Sequence, residues 1–125
     1  MPSLTEKDAL RAYARMMNTL SAEHIAPLLS DDFRYASQWV FDEIVSPEAY
    51  LEYIGTKLDS IRNSNARVWA EMGTCPRDCV VMSQGTREDL VATVLAEVKA
   101  GKIVRFDMCC VPPPESATRT GEFPD

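Results

Sequence analysis

Histidine occurs once in this 125-residue chain, as His24, and cysteine only four times. Cys75 and Cys79 stand at a spacing that structural zinc sites do not favour, and no second pair or histidine accompanies them. Cys109 and Cys110, adjacent on an expected strand, point to opposite faces. No metal and no cofactor is therefore expected. Positive charge is also short: 13 Lys and Arg face 19 Asp and Glu, a net charge of −6, and the basic residues are scattered. Neutralising nucleic-acid phosphates takes a clustered basic face, so a nucleic-acid partner is excluded. No apolar run approaches the ~20 residues that cross a bilayer. The start of the chain lacks the basic, apolar and small-residue regions of a secretory signal. A cytoplasmic protein with free thiols and no membrane partner is expected.

The length suits one domain with a sizeable core. Residues 1–111 carry its hydrophobic pattern, and the Pro-rich remainder, 112–125, is expected to be a flexible tail. Ser3 or Thr5, followed by Glu6 or Asp8, caps a first helix on which Leu10, Tyr13, Ala14 and Met17 recur at helical spacing. Ser21 opens a shorter helix with Ile25, Leu28 and Leu29 inward, where Pro27 forces a kink or an early 3₁₀ ending, and Asp31-Asp32 turns the chain out of it. Phe33, Tyr35, Ser37 and Trp39 alternate as a short strand, with 41–45 as an irregular partner. Ser46-Pro47-Glu48 is a helix start, with Leu51, Ile54, Leu58 and Ile61 as its buried stripe. Strands are expected over 66–72, 79–84 and 89–98. A last one follows the Ala100-Gly101 turn, with Val104, Phe106, Met108 and Cys110 on one face and Arg105 and Asp107 on the other.

Helices first and a meander ending in a hairpin last resembles the nuclear transport factor 2-like superfamily. Arg11-Ala12-Tyr13, Asn18, the run Leu28-Leu29-Ser30-Asp31-Asp32-Phe33 and the turn Gly101-Lys102-Ile103-Val104 carry the resemblance. It implies an α+β, cone-shaped (cystatin-like) fold, with N-terminal helices packed on a curved antiparallel sheet and a cleft between the layers. It also implies a homodimer through the outer sheet face, where Glu97, Arg105, Asp107 and Cys109 belong. Within the superfamily the segment is similar to ketosteroid isomerases. That likeness puts Tyr13 at the position of a tyrosine that donates to the substrate oxygen, but sets Ser37 at the position of the general base. A serine hydroxyl without an activating partner is too weak a base for proton transfer. Dehydratases of the superfamily rely on paired histidines, which one histidine cannot supply.

By alternation and by the resemblance, Val104, Phe106, Met108 and Cys110 face Tyr13, Met17, Ser37, Trp39, Tyr53 and Ile54 across the cleft. This is an apolar, aromatic lining with a few hydroxyls, as small-molecule sites commonly have. Tyr13 is the one catalytic candidate. The expectation is a protein that binds a hydrophobic small molecule without a complete catalytic set. Two alternatives stay open: an isomerase, dehydratase or cyclase like the SnoaL-like enzymes, with Asp42 or Glu43 as base, and a non-catalytic dimerisation module with a filled core.

Overall fold

The computed structural model describes residues 4–37, 42–109 and 113–125. Helix α1, Glu6–Thr19, starts at a reciprocal cap: Thr5 Oγ1 accepts from the Asp8 N–H at 3.0 Å while the Asp8 carboxylate accepts from the Thr5 N–H at 3.1 Å. Each bond satisfies a backbone donor or anchors an acid at the positive end of the helix. The helix stops at Leu20, whose φ of 57° is left-handed. A leucine pays for that conformation with local strain, which its partly buried side chain offsets by packing against the core.

The expected second helix is two 3₁₀ turns, Ala22–His24 and Ala26–Leu28, separated at Ile25, and Pro27 inside the second has no N–H to continue an α-helix. Strand β1 then begins at Leu29 and runs to Ser37, so Asp31 and Asp32 lie on a strand and are not an exit turn. Helix α2, Pro47–Asn63, begins where expected, with Ser46 Oγ accepting from the Ala49 N–H at 3.1 Å. Its fully buried stripe is Tyr50, Ile54 and Leu58, with Leu51 and Ile61 only partly covered. Strands β2 (Val68–Thr74), β3 (Asp78–Gln84), β4 (Leu90–Lys99) and β5 (Lys102–Cys109) form an antiparallel meander.

The sheet order is β1-β5-β4-β3-β2-β6, where β6 is Thr118–Arg119. One pair departs from the expected antiparallel sheet: β1 runs parallel to β5, because α2 and the meander intervene before β5 returns beside it. Both helices pack on the inner face of this curved, unclosed sheet, α1 over β2 to β4 and α2 over β1. The core between them holds Tyr13, Tyr35, Tyr50, Phe33 and Phe106, all 1% exposed or less.

The phase of β5 corrects one inward residue. Val98 pairs with Ile103 and Glu97 with Arg105, so Val104 is the extra residue of a β-bulge. The bulge turns Ile103 into the core and leaves Val104 half-exposed among Leu29, Asp31, Asp32 and Lys99, outside the helix-facing side. Strict alternation from Val104 fails there because a bulge adds one residue to the two-residue period.

Residues 113–125, expected as a flexible tail, are docked. A 3₁₀ turn, Pro114–Ser116, lies against β4, and β6 pairs with Gly73 and Thr74. Beyond it the Met72 N–H donates to the Glu122 carbonyl at 2.9 Å, and Arg11 grips the Glu122 carboxylate at 2.8 Å. Gly73 makes this possible, since a Cβ there would stand 2.8 Å from the Thr118 carbonyl. Arg119 Nε donates to the buried Glu71 carboxylate at 2.6 Å, pairing a charge that burial would otherwise penalise. Cys79, Val81 and Thr93, all buried, sit on the outer sheet face, so part of the surface expected to meet a second copy is covered by the chain itself. Among the described residues, no helix is long and apolar enough to cross a membrane.

Candidate functional site

Between α1, the C-terminal half of α2 and the inner face of β2, β3 and β4 lies a cleft of about 530 Å³. Its walls combine Met17 of α1, Ile61 of α2, Val68 of β2, Met82 of β3, Ala92 of β4 and Met108 of β5. Each strand residue follows from alternation: Val68, Met82 and Ala92 share the inward face that Ala70, Val80 and Val94 continue into the core. Bulges also shape the mouth. Met82 pairs with Ala92 but Ser83 with Leu90, which throws the exposed Val91 onto the rim. Lys57, Ser60, Ser64 and Gln84 supply the polar part of the lining, and no carboxylate, histidine or thiol is among the described lining residues.

Behind the cleft lies a cluster of four tyrosines. The Tyr35 hydroxyl donates to Met108 Sδ at 3.9 Å, so Met108 is both cleft wall and partition between cleft and cluster. The Tyr50 ring lies tilted against Tyr35 at a centroid distance of 4.9 Å, and the Tyr53 ring tilted against Tyr35 at 5.6 Å. Tyr13 meets Phe106 edge-on at 5.0 Å. The hydroxyls of Tyr13 and Tyr50 are fully buried and have no hydrogen-bond partner among the described residues. Burial, and secondarily the neighbouring phenols, pushes the ionisation of both well above the ordinary tyrosine value. Burial raises Tyr35 as well, opposed by a hydrogen bond from Ser37 that favours the phenolate. Three phenols are thus held neutral, able to donate and unable to act as bases at neutral pH.

The expected site residues divide accordingly. Met17 and Met108 line the cleft. Tyr13, Ile54 and Phe106 are solid core. Ser37 ends β1 opposite Met108 and hydrogen-bonds Tyr35. Tyr53 borders a separate, shallow hollow with Ala49, Glu52, Thr56 and Lys57. Val104 stands outside on its bulge, and Trp39 and Cys110 lie outside the described residues. Sequence reasoning did not single out Val68, Met82, Ala92 or Tyr50. Tyr50 was legible, since it lies four residues before Ile54 and eight before Leu58 on one helical face.

The carboxylates considered as bases lie elsewhere. Glu43 accepts from Arg105 Nη1 at 2.9 Å, and the same guanidinium contacts Asp107 at 2.9 Å. These bonds, Asp107 first, raise the already high Arg105 value further, as two carboxylates around one guanidinium do. Asp42 is exposed. Among the described residues, no three His, Cys, Asp or Glu side chains converge as a metal site.

No protein-family model matches the chain, and no curated protein does. Solved structures do. A nuclear transport factor 2-like protein of unknown function from Cytophaga hutchinsonii superposes with a TM-score of 0.59 at 13% identity, covering 89% of this chain and 96% of that one. A provisionally assigned polyketide cyclase from Sinorhizobium meliloti gives 0.58 at 15% identity, over 82% and 94% of the two chains. A provisionally assigned ketosteroid isomerase from Kribbella flavida gives 0.58 at 19% identity, over 85% and 78%. Helices over a curved sheet, the bulged hairpin and these likenesses agree on the architecture: this chain has the nuclear transport factor 2-like fold.

Proposed function

We propose that the protein binds a hydrophobic small molecule in the cleft between α2 and the inner face of β2–β4. The observation that carries this reading is the half-open, mostly apolar lining of about 530 Å³, a size and character suited to a small organic ligand. Three of the six methionines border it, Met17, Met82 and Met108. Thioether side chains adapt their rotamers to irregular shapes, so these walls suit an apolar guest of flexible outline. The lining described has no carboxylate to move a proton, which favours binding over turnover.

The test is a thermal-shift screen of hydrophobic and aromatic metabolites beside Ala66→Trp, a substitution at the cleft wall that fills it. A ligand at 100 times its Kd stabilises the fold by about 2.7 kcal/mol. Stabilisation of the wild type that Ala66→Trp abolishes supports the reading. No response to any compound class moves the weight to a dimerisation module.

A second reading, an isomerase, dehydratase or cyclase, is favoured by the two unpartnered phenols of Tyr13 and Tyr50 and by the names of two structural neighbours. Its test is hydrogen–deuterium exchange at carbon alpha to the carbonyl of a cleft-bound ketone, with and without protein. A cytoplasmic site of action and a homodimer through the uncovered outer face around Leu95 and Glu97 belong to the same proposal. Cell fractionation tests the first. A solution mass of twice 14.0 kDa tests the second.

A further inference from the structure

The charge of the cleft is one-sided. Lys57 is the only ionisable side chain among its described lining residues, in a chain whose acids outnumber its bases by 19 to 13. It is half-buried, and its ammonium stands 5.7 Å from the centroid of the Tyr53 ring, a contact that holds the side chain over an aromatic face without consuming its donors. No described carboxylate lies within ion-pair distance of it. Of the acids on the same helix, Asp59 pairs with Arg62 at 3.0 Å, and Glu52 shares the shallow hollow beside Tyr53 with Lys57 without coming within ion-pair distance of it. Ser60 and Ser64 follow Lys57 at three and seven residues, so all three line the same side of α2 as Ile61. The Ser64 hydroxyl donates to the Ile61 carbonyl at 3.3 Å, leaving Ser60 as the hydroxyl that can join Lys57 as a donor.

Resting on the binding reading above, we infer that the ligand is an amphipathic organic monoacid. Its apolar body lies against Met17, Val68, Met82 and Met108, and its carboxylate meets the Lys57 ammonium and the Ser60 hydroxyl at the rim. A partly desolvated ammonium without a counter-charge is costly, and a ligand carboxylate supplies that counter-charge through a charge-assisted hydrogen bond. One lysine matches one carboxylate. A phosphate dianion would leave charge unpaired here, and an ammonium ligand would meet repulsion.

The experiment is calorimetric titration at low salt with two matched probe sets. One is 2-naphthoate, 2-naphthylmethanol and 2-naphthylmethylammonium; the other is decanoate, decanol and decylammonium, each below its micelle threshold. Expected is an acid about five- to tenfold tighter than its alcohol, as a partly exposed charge-assisted contact gives, with the ammonium weakest. That preference shrinks as salt is raised, because the pair is at the rim. Lys57→Gln brings the acid down to the level of the alcohol, and circular dichroism verifies that the variant is folded. Equal binding of the three head groups, or an acid preference that survives Lys57→Gln, overturns the inference while leaving the cleft reading standing. No binding of any probe, with Ala66→Trp indistinguishable from wild type, overturns both.

Discussion

Asn18 reads the edge of β2 as a neighbouring strand would. Its Oδ1 accepts from the Ala70 N–H at 2.8 Å and its Nδ2 donates to the Ala70 carbonyl, also at 2.8 Å. The same Nδ2 donates to the Pro124 carbonyl at 2.6 Å. One amide from α1 thereby ties helix, sheet edge and C-terminal segment together, where an open edge would expose unpaired backbone groups. Asn18→Ala strands all of these groups at once. It is expected to cost about 2–3 kcal/mol, measured by urea denaturation, and to speed amide exchange at Met72 and Thr120. A loss confined to exchange in 113–125 with unchanged global stability would mean that Asn18 serves the tail alone.

Tyr13 and Tyr50 carry buried hydroxyls that nothing described satisfies. Tyr13→Phe and Tyr50→Phe each remove an orphan polar group, so each is expected to leave stability equal or higher by up to about 1 kcal/mol. A clear destabilisation by either change would identify a bound water or ligand oxygen between them, and would strengthen the catalytic reading.

Alkaline pH tests the same cluster together with Cys79. Burial, with Cys75, Asp78 and Cys109 nearby, pushes the Cys79 thiol from 9.0 up to about 11, while Tyr13, Tyr35 and Tyr50 all lie above the ordinary 10.0. The folded state therefore keeps protons that the unfolded chain releases. Stability is full below about pH 9 and falls as pH rises, with the Cys79 part exhausted near 11 and the tyrosine part continuing beyond. Tyrosinate absorbance should register these three phenols only as near-ultraviolet dichroism is lost. Ionisation of all four tyrosines in the intact fold would contradict the burial.

Ala100 has a φ of 54° and Gly101 of 76°, the two-residue turn that favours Asn-Gly. Alanine bears a steric cost there that asparagine tolerates better. Ala100→Asn is expected to raise stability by about 0.5–1 kcal/mol, as a shift of denaturation midpoint with unchanged slope.

Much of this protein is determined by the chain's own local chemistry. Thr5 with Asp8, and Ser46 with Pro47, start helices because their side chains satisfy the free N–H groups of a first turn wherever that turn lies. Pro27 keeps an α-helix from continuing because it has no N–H, and Ala100-Gly101 turns because glycine readily takes the positive φ that a two-residue hairpin turn needs. Two-residue alternation also names the inner faces of β2 to β4. Tertiary structure decided what alternation cannot express. Val104 left the inward face because a bulge opposite Glu97 and Val98 shifts the count by one. The segment 113–125 is docked through long-range bonds from Arg11, Asn18 and Glu71, which no local composition reveals. The cleft lies where α1, the C-terminal half of α2 and the sheet meet, so that Met82 and Met108, though buried, border open space, while Tyr13 and Phe106, equally inward by pattern, are sealed in the core. Local signals set which face of an element is apolar; the angle between packed elements sets which part of that face a ligand can reach.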